Sequence, residues 1–144
     1  MEENLNQMIM HHFGLEDVDL RTYSPLTLAY IGDGIYDLVI RTVVVGKGNT
    51  SPNQLHGHTS HIVKAKSQSE MIQLLQEDLT DEEMGVYRRG RNAKSNTMAK
   101  NASMSDYRNA TGFEALMGYL YLQGNIQRIL ELTEIGLEKA KIKI

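Results

Sequence analysis

The chain has no cysteine in its 144 residues. That absence excludes a disulfide framework and a thiolate metal site, and a reducing cytoplasmic setting is the expectation. No secretion signal is expected either. MEENLNQMIM is acidic where a signal peptide is basic, and no long apolar stretch follows it. The longest apolar run, residues 26 to 45, is interrupted by Asp33, Asp37 and Arg41, which excludes a membrane span. Sustained strand alternation, internal repeats, low-complexity tracts and linkers are all missing. Only TVVVG (42–46) has strand character, and it closes a helical pattern. Excess positive charge is absent as well: the net charge is −3, which by itself argues against a nucleic-acid binder.

What is present is an ordinary globular balance, 41% hydrophobic and 23% charged, in enough chain for one domain with a real core. The charges are segregated. No Asp or Glu occurs between Leu38 and Ser69, where Arg41, Lys47, Lys64, Lys66, His56, His58 and His61 lie. Between Met84 and Ser105 there is again no acid, against Arg88, Arg89, Arg91, Lys94 and Lys100. A polyanion can therefore find a positive face on a net acidic protein.

The pattern predicts helices throughout. Residues 2 to 12 form a short one, stopped near Gly14. Ser24-Pro25 is an N-cap followed by Pro at the first helical position, opening a long apolar helix to about Gly46. Ser51-Pro52 repeats the signal and starts a helix expected to break near Ser67 to Ser69, before a short apolar piece from Met71 to Leu75. Thr80 to Glu83 fits a capping box and starts a helix towards Tyr87. RRGRNAKSNT then reads as a basic loop or a frayed helix end. Ser105 and Asp106 start the next helix, with Phe113, Leu116, Met117 and Leu120 on one face. Gly124-Asn125 ends it, and residues 126 to 142 form the last. The fold class is all-α, a single domain over residues 1–144.

Two places are anomalous for such a protein. Gly32-Asp33-Gly34 interrupts the most apolar helix, where each glycine costs roughly 1 kcal/mol relative to Ala and a buried carboxylate needs a partner or a cation. Close backbone approach and a deliberately placed carboxylate account for both costs. The alternative is a solvent-facing stripe of Ala29, Asp33, Asp37 and Arg41 with an Asp37–Arg41 ion pair. Glu114 is the only acid between Tyr107 and Leu130. Ala110, Thr111, Met117 and Gly118 surround it with mostly small side chains, which lets another helix pack close and leaves the carboxylate in a groove. Its alternative is a surface Glu on an amphipathic helix. Two such carboxylates on separate helices can share a hard divalent cation such as Mg²⁺. His56, His58 and His61 do not share one helical face, so they read as solvated or phosphate-facing rather than as a metal site.

Leu28-Ala29-Tyr30-Ile31-Gly32-Asp33-Gly34-Ile35 resembles the signature helix of the ribonuclease III family, and Thr111-Gly112-Phe113-Glu114-Ala115-Leu116-Met117-Gly118-Tyr119-Leu120-Tyr121-Leu122 resembles its second motif. The likeness runs from about Ser24 to Leu122, with order, spacing and helical context in agreement. The family's first acidic position falls on Ala29, and the Asp of the second motif falls on Thr111. Only Asp33 and Glu114 carry over. That reduced pair, the lack of an appended double-stranded-RNA-binding domain and the RRGRNAKS segment look like the Mini-ribonuclease III branch.

The resemblance implies a ribonuclease III-like helical endonuclease domain, with Asp33 and Glu114 as catalytic residues and Mg²⁺ ligands. The implied reaction is hydrolysis of double-stranded RNA, leaving 5′-phosphate and 3′-hydroxyl ends. The expected setting is maturation of the large-subunit ribosomal RNA precursor, with a ribosomal protein as a further partner. Arg88, Arg89, Arg91, Lys94 and Lys100 are the expected backbone contacts, because A-form RNA is read by shape and charge. A homodimer is also implied, with Tyr30 at its interface or, equally, in ordinary core packing. Two rival readings stay open at this point. One is a catalytically inactive ribonuclease III fold that binds ribosomal RNA in assembly; the other is a helical protein-interaction domain with no affinity for RNA.

Overall fold

The computed structural model describes residues 3–94 and 103–144. The described residues contain helices and no strands: α1 (Leu5–His12), α2 (Pro25–Lys47), α3 (Pro52–Val63), α4 (Ala65–Leu75), α5 (Asp81–Asn92), α6 (Met104–Leu122) and α7 (Ile126–Ala140). Short 3-10 turns at Leu20–Thr22 and Gln76–Asp78 join some of them. No described helix is long and apolar enough to cross a membrane.

The start signals act as the sequence predicts. Ser24 and Ser51 accept from the backbone N–H groups of Thr27 and Gln54, and each precedes a proline at the start of its helix. Thr80 and Glu83 form a reciprocal capping box. The start of α6 lies slightly earlier than expected, because Ser103 rather than Ser105 supplies the capping oxygen, at 3.0 Å from the Asp106 nitrogen.

Two other boundaries differ for a physical reason. The break after α3 falls at Lys64, whose backbone is extended, not at Ser67 to Ser69, which lie buried inside α4. Those polar side chains look like helix breakers because they serve the end of the previous helix. Ser67 donates to the His61 carbonyl at 2.7 Å, and Gln68 Nε2 donates to the Val63 carbonyl at 2.8 Å. Both carbonyls would otherwise lack an intrahelical donor. The basic stretch after Tyr87 is likewise not a loop at first. α5 continues through Arg88, Arg89 and Arg91 to Asn92, with its cations at the negative end of the helix dipole.

α6 is the centre of the bundle, packed by α2, α4 and α5. A helix buried on nearly all sides must be apolar on nearly all sides, and Phe113, Leu116 and Met117 are fully inaccessible. The Phe113 ring meets Tyr36 of α2 edge-to-face at 4.9 Å, and Tyr36 donates to the Met71 sulfur of α4. One buried ion pair ties α5 to α7. Arg128 reaches Glu83 at 2.8 Å and also donates to the Asp78 carbonyl. Burial by itself raises the Glu83 pKa, but the Arg128 guanidinium and the Thr80 amide hold the carboxyl below its usual range.

Glycines set the helix separations around the centre. A β-carbon on Gly118 would lie 2.0 Å from the Leu28 carbonyl oxygen, and one on Gly90 would lie 2.8 Å from the Ala115 β-carbon. Only hydrogen fits, so α2 and α5 approach α6 backbone to backbone. The deepest such contact is at Gly32, against the carbonyl of Glu114 itself.

Candidate active site

That contact brings the two anomalous acids together. Asp33 on α2 and Glu114 on α6 lie within hydrogen-bonding reach of each other. Their burial is unequal. Asp33 is exposed, as the solvent-facing stripe would place it, whereas Glu114 lies largely beneath the surface. Burial pushes the Glu114 carboxyl up to about 8, and the hydrogen bond and charge of Asp33 push the same way. A carboxyl held near neutrality beside a second carboxylate needs either a proton or a cation. The solvent-facing stripe is real at its other end, where Arg41 and Asp37 pair at 2.6 Å.

A third side chain enters from α4. Gln68 is 2% exposed, and its amide favours the charged form of Glu114. Its Nε2 is anchored on the Val63 carbonyl, while its Oε1 is buried and has no hydrogen-bond partner. Sequence reasoning missed this residue. It sits in the polar run Lys66-Ser67-Gln68-Ser69-Glu70, which reads as a break and carries no signal that sets the amide apart.

The two acids offer carboxylate oxygens with no imidazole or sulfur beside them, which suits a hard divalent cation. Among the described residues no group of three or more His, Cys, Asp or Glu is placed to hold a metal. A pair of carboxylates fits an ion such as Mg²⁺, which keeps several of its waters. His56, His58 and His61 are exposed, and His61 Nε2 lies 3.2 Å from the Lys143 carbonyl oxygen.

The basic residues border the same part of α6. Gly90, between Arg89 and Arg91, packs on Gly112 and Ala115, which flank Glu114 in sequence. Arg88, Arg89 and Lys94 are exposed. Arg91 lies over the Tyr87 ring at 5.4 Å and shares a cleft of about 350 Å³ with Arg108, a cation that the sequence reading did not single out. Lys100 lies outside the described residues. Tyr30 is 83% exposed, so core packing is not its role. A groove of about 730 Å³ lies between α2 and α7, lined by Val39, Val43, Leu130 and Leu137; neither Asp33 nor Glu114 borders it.

This is the frame of a known class. The Ribonuclease III domain family matches residues 26–125, and the chain belongs to the ribonuclease III family of endoribonucleases. Its relatives there carry the name Mini-ribonuclease 3. The Clostridium tetani protein is 50% identical over 81% of this chain and 78% of its own length. The Enterococcus faecalis protein is 49% identical over 84% of this chain and 93% of its own. The crystal structure of a Fusobacterium nucleatum protein superposes with a TM-score of 0.76 at 30% identity, over 84% of this chain and 98% of that one.

Proposed function

We propose that this endoribonuclease cleaves double-stranded RNA with Asp33 and Glu114 as its catalytic and cation-holding pair. Enzymes of the ribonuclease III family depend on a divalent metal and act on RNA duplexes as dimers. The observation that carries the reading is the pair itself: two acids from different helices meet, and burial drives one of them up to about 8. The proposed cation is Mg²⁺. When bound it supplies Lewis-acid polarisation of the phosphodiester and a more acidic water.

The chain's own residues do the rest. Asp33, open to solvent, and Glu114, set beneath it, fix an oxygen-rich patch on one side of α6. Arg88, Arg89 and Arg91 on α5, and Lys94 just past its end, hold the duplex backbone, with Lys100 in the same role. Products carry 5′-phosphate and 3′-hydroxyl ends.

A homodimer through α2 belongs to the same reading. Gly34 supports it, because a β-carbon there meets nothing within 4 Å in its own chain. A mid-helix glycine with no internal use, one turn from an exposed Tyr30, suits a second helix at close range. The large-subunit ribosomal RNA precursor as substrate, a ribosomal protein as partner and a cytoplasmic location rest on the likeness to Mini-ribonuclease 3. The experiment is incubation of a long RNA duplex with the protein and Mg²⁺, or with chelator, followed by analysis of the ends. Fragments with 5′-phosphates in Mg²⁺ alone are expected. An intact duplex under both conditions, or cleavage that survives the chelator, contradicts the reading.

A further inference from the structure

The carboxylate pair is sparse for a cation site. The positions where the family carries further acids hold Ala29, with no oxygen in its side chain, and Thr111, an uncharged hydroxyl that donates to the Tyr107 carbonyl at 3.0 Å. Buried acceptors without partners are costly, at about 1–3 kcal/mol each, and the described residues contain two: Gln68 Oε1 and Thr133 Oγ1. Thr133 lies on α7 in the groove between α2 and α7, which neither Asp33 nor Glu114 borders. Gln68 stands beside Glu114.

The geometry of Gln68 leaves it little freedom. Its Nε2 is held by Val63 at the end of α3, and its stem is buried in α4, so the amide plane is fixed between those elements and α6. A solvent-exposed amide would turn to satisfy its oxygen with water. This one is locked with its donor used and its acceptor unused. A fixed, neutral oxygen with an unused lone pair, on a side chain that contacts Glu114, is what a hard cation or one of its waters can take up.

We propose that Gln68 completes the cation site, its Oε1 supplying a neutral oxygen, directly or through a cation-bound water, where Ala29 and Thr111 leave no carboxylate. The inference rests on the assignment of Asp33 and Glu114 as the cation pair. It makes the site a third element deep, tying α4 to α2 and α6 when the ion is bound. It also explains why a polar side chain is kept in a buried turn at the cost of an orphaned acceptor.

The test is titration of the RNA-free protein with Mn²⁺ and, separately, Mg²⁺, followed by calorimetry and by the rise in Tm. Gln68→Leu removes the oxygen, and Gln68→Glu supplies a charged one. Both lose the donor to Val63, so destabilisation from that source is common to the two. The expected result is cation affinity weakened by about tenfold or more in the Leu variant and restored or raised above the parent in the Glu variant. Duplex RNA affinity in chelator should be the same for all three.

Parent-like cation affinity in the Leu variant overturns the proposal, as does equal weakening in both variants, which would make Gln68 a structural residue. If the Glu variant does not fold, the Leu variant beside the parent decides. Asp33→Asn run in parallel separates the two levels. Cation binding that survives in Asp33→Asn breaks the reading of the site, whereas its loss there with no effect at Gln68 breaks only this inference.

Discussion

Gly32 and Glu114 are in backbone contact: a β-carbon on Gly32 would lie 1.7 Å from the Glu114 carbonyl oxygen and 2.7 Å from the Gly118 nitrogen. The residue beside the first acid is thus the one that seats the second. Neither acid position can shift without moving the crossing of α2 and α6.

Gly32→Ala should therefore destabilise the protein by about 3 kcal/mol or more, since the obstacle is backbone and cannot swing away. Gly34→Ala, two residues further along α2 and facing open space within its own chain, should leave the monomer unchanged or stabilise it by up to about 1 kcal/mol through helix propensity. Urea unfolding of both variants checks the contrast. Equal stabilities would mean that the helix crossing is looser than this contact demands.

The raised Glu114 carboxyl predicts a pH dependence with a definite sign. Its folded pKa of about 8 lies above the ordinary 4.5, so its contribution to stability is fully present below about 4.5 and lost as pH rises through about 8. In chelator, thermal stability should fall across that window, and Glu114→Gln should remove part of the fall. Because a cation must displace the proton, cation affinity should climb over the same window. Flat affinity from about pH 6 to about pH 9 would show that Glu114 is already ionised before the cation arrives.

Reversing the charge of Arg88, Arg89 and Arg91 should weaken duplex binding roughly uniformly across sequences. Each lost phosphate contact should also lower the slope of log affinity against log salt by roughly 0.9. Cation affinity should stay close to that of the parent. An unchanged salt slope would show that this end of α5 points away from the RNA.

Much of this was legible in residue order, for reasons that differ by element. Ser24-Pro25, Ser51-Pro52 and Thr80–Glu83 announce helix starts because capping is a local interaction between neighbours in sequence. The face of Phe113, Leu116, Met117 and Leu120 is equally local, and all four are buried. What the sequence could not show depends on distant partners. Ser67 and Gln68 read as a break because nothing nearby says that they serve His61 and Val63 across a turn. Arg128 pairs with Glu83 across 45 positions, a contact without any local signature. The unequal burial of Asp33 and Glu114 follows from how α2 and α4 cover α6, so residue order alone could not decide between a buried and a solvent-facing Asp33.

The most direct measurement is single-turnover cleavage of a long RNA duplex in Mg²⁺ by the parent, Asp33→Asn and Glu114→Gln, with duplex binding measured alongside. Both substitutions nearly preserve shape and remove only the charge that the cation needs. The account predicts that each variant folds, that its cation-free stability is equal to or above the parent's, that it still binds duplex, and that it cuts neither strand. Cleavage at near the parent rate by either variant would contradict the assignment of this pair as the catalytic centre.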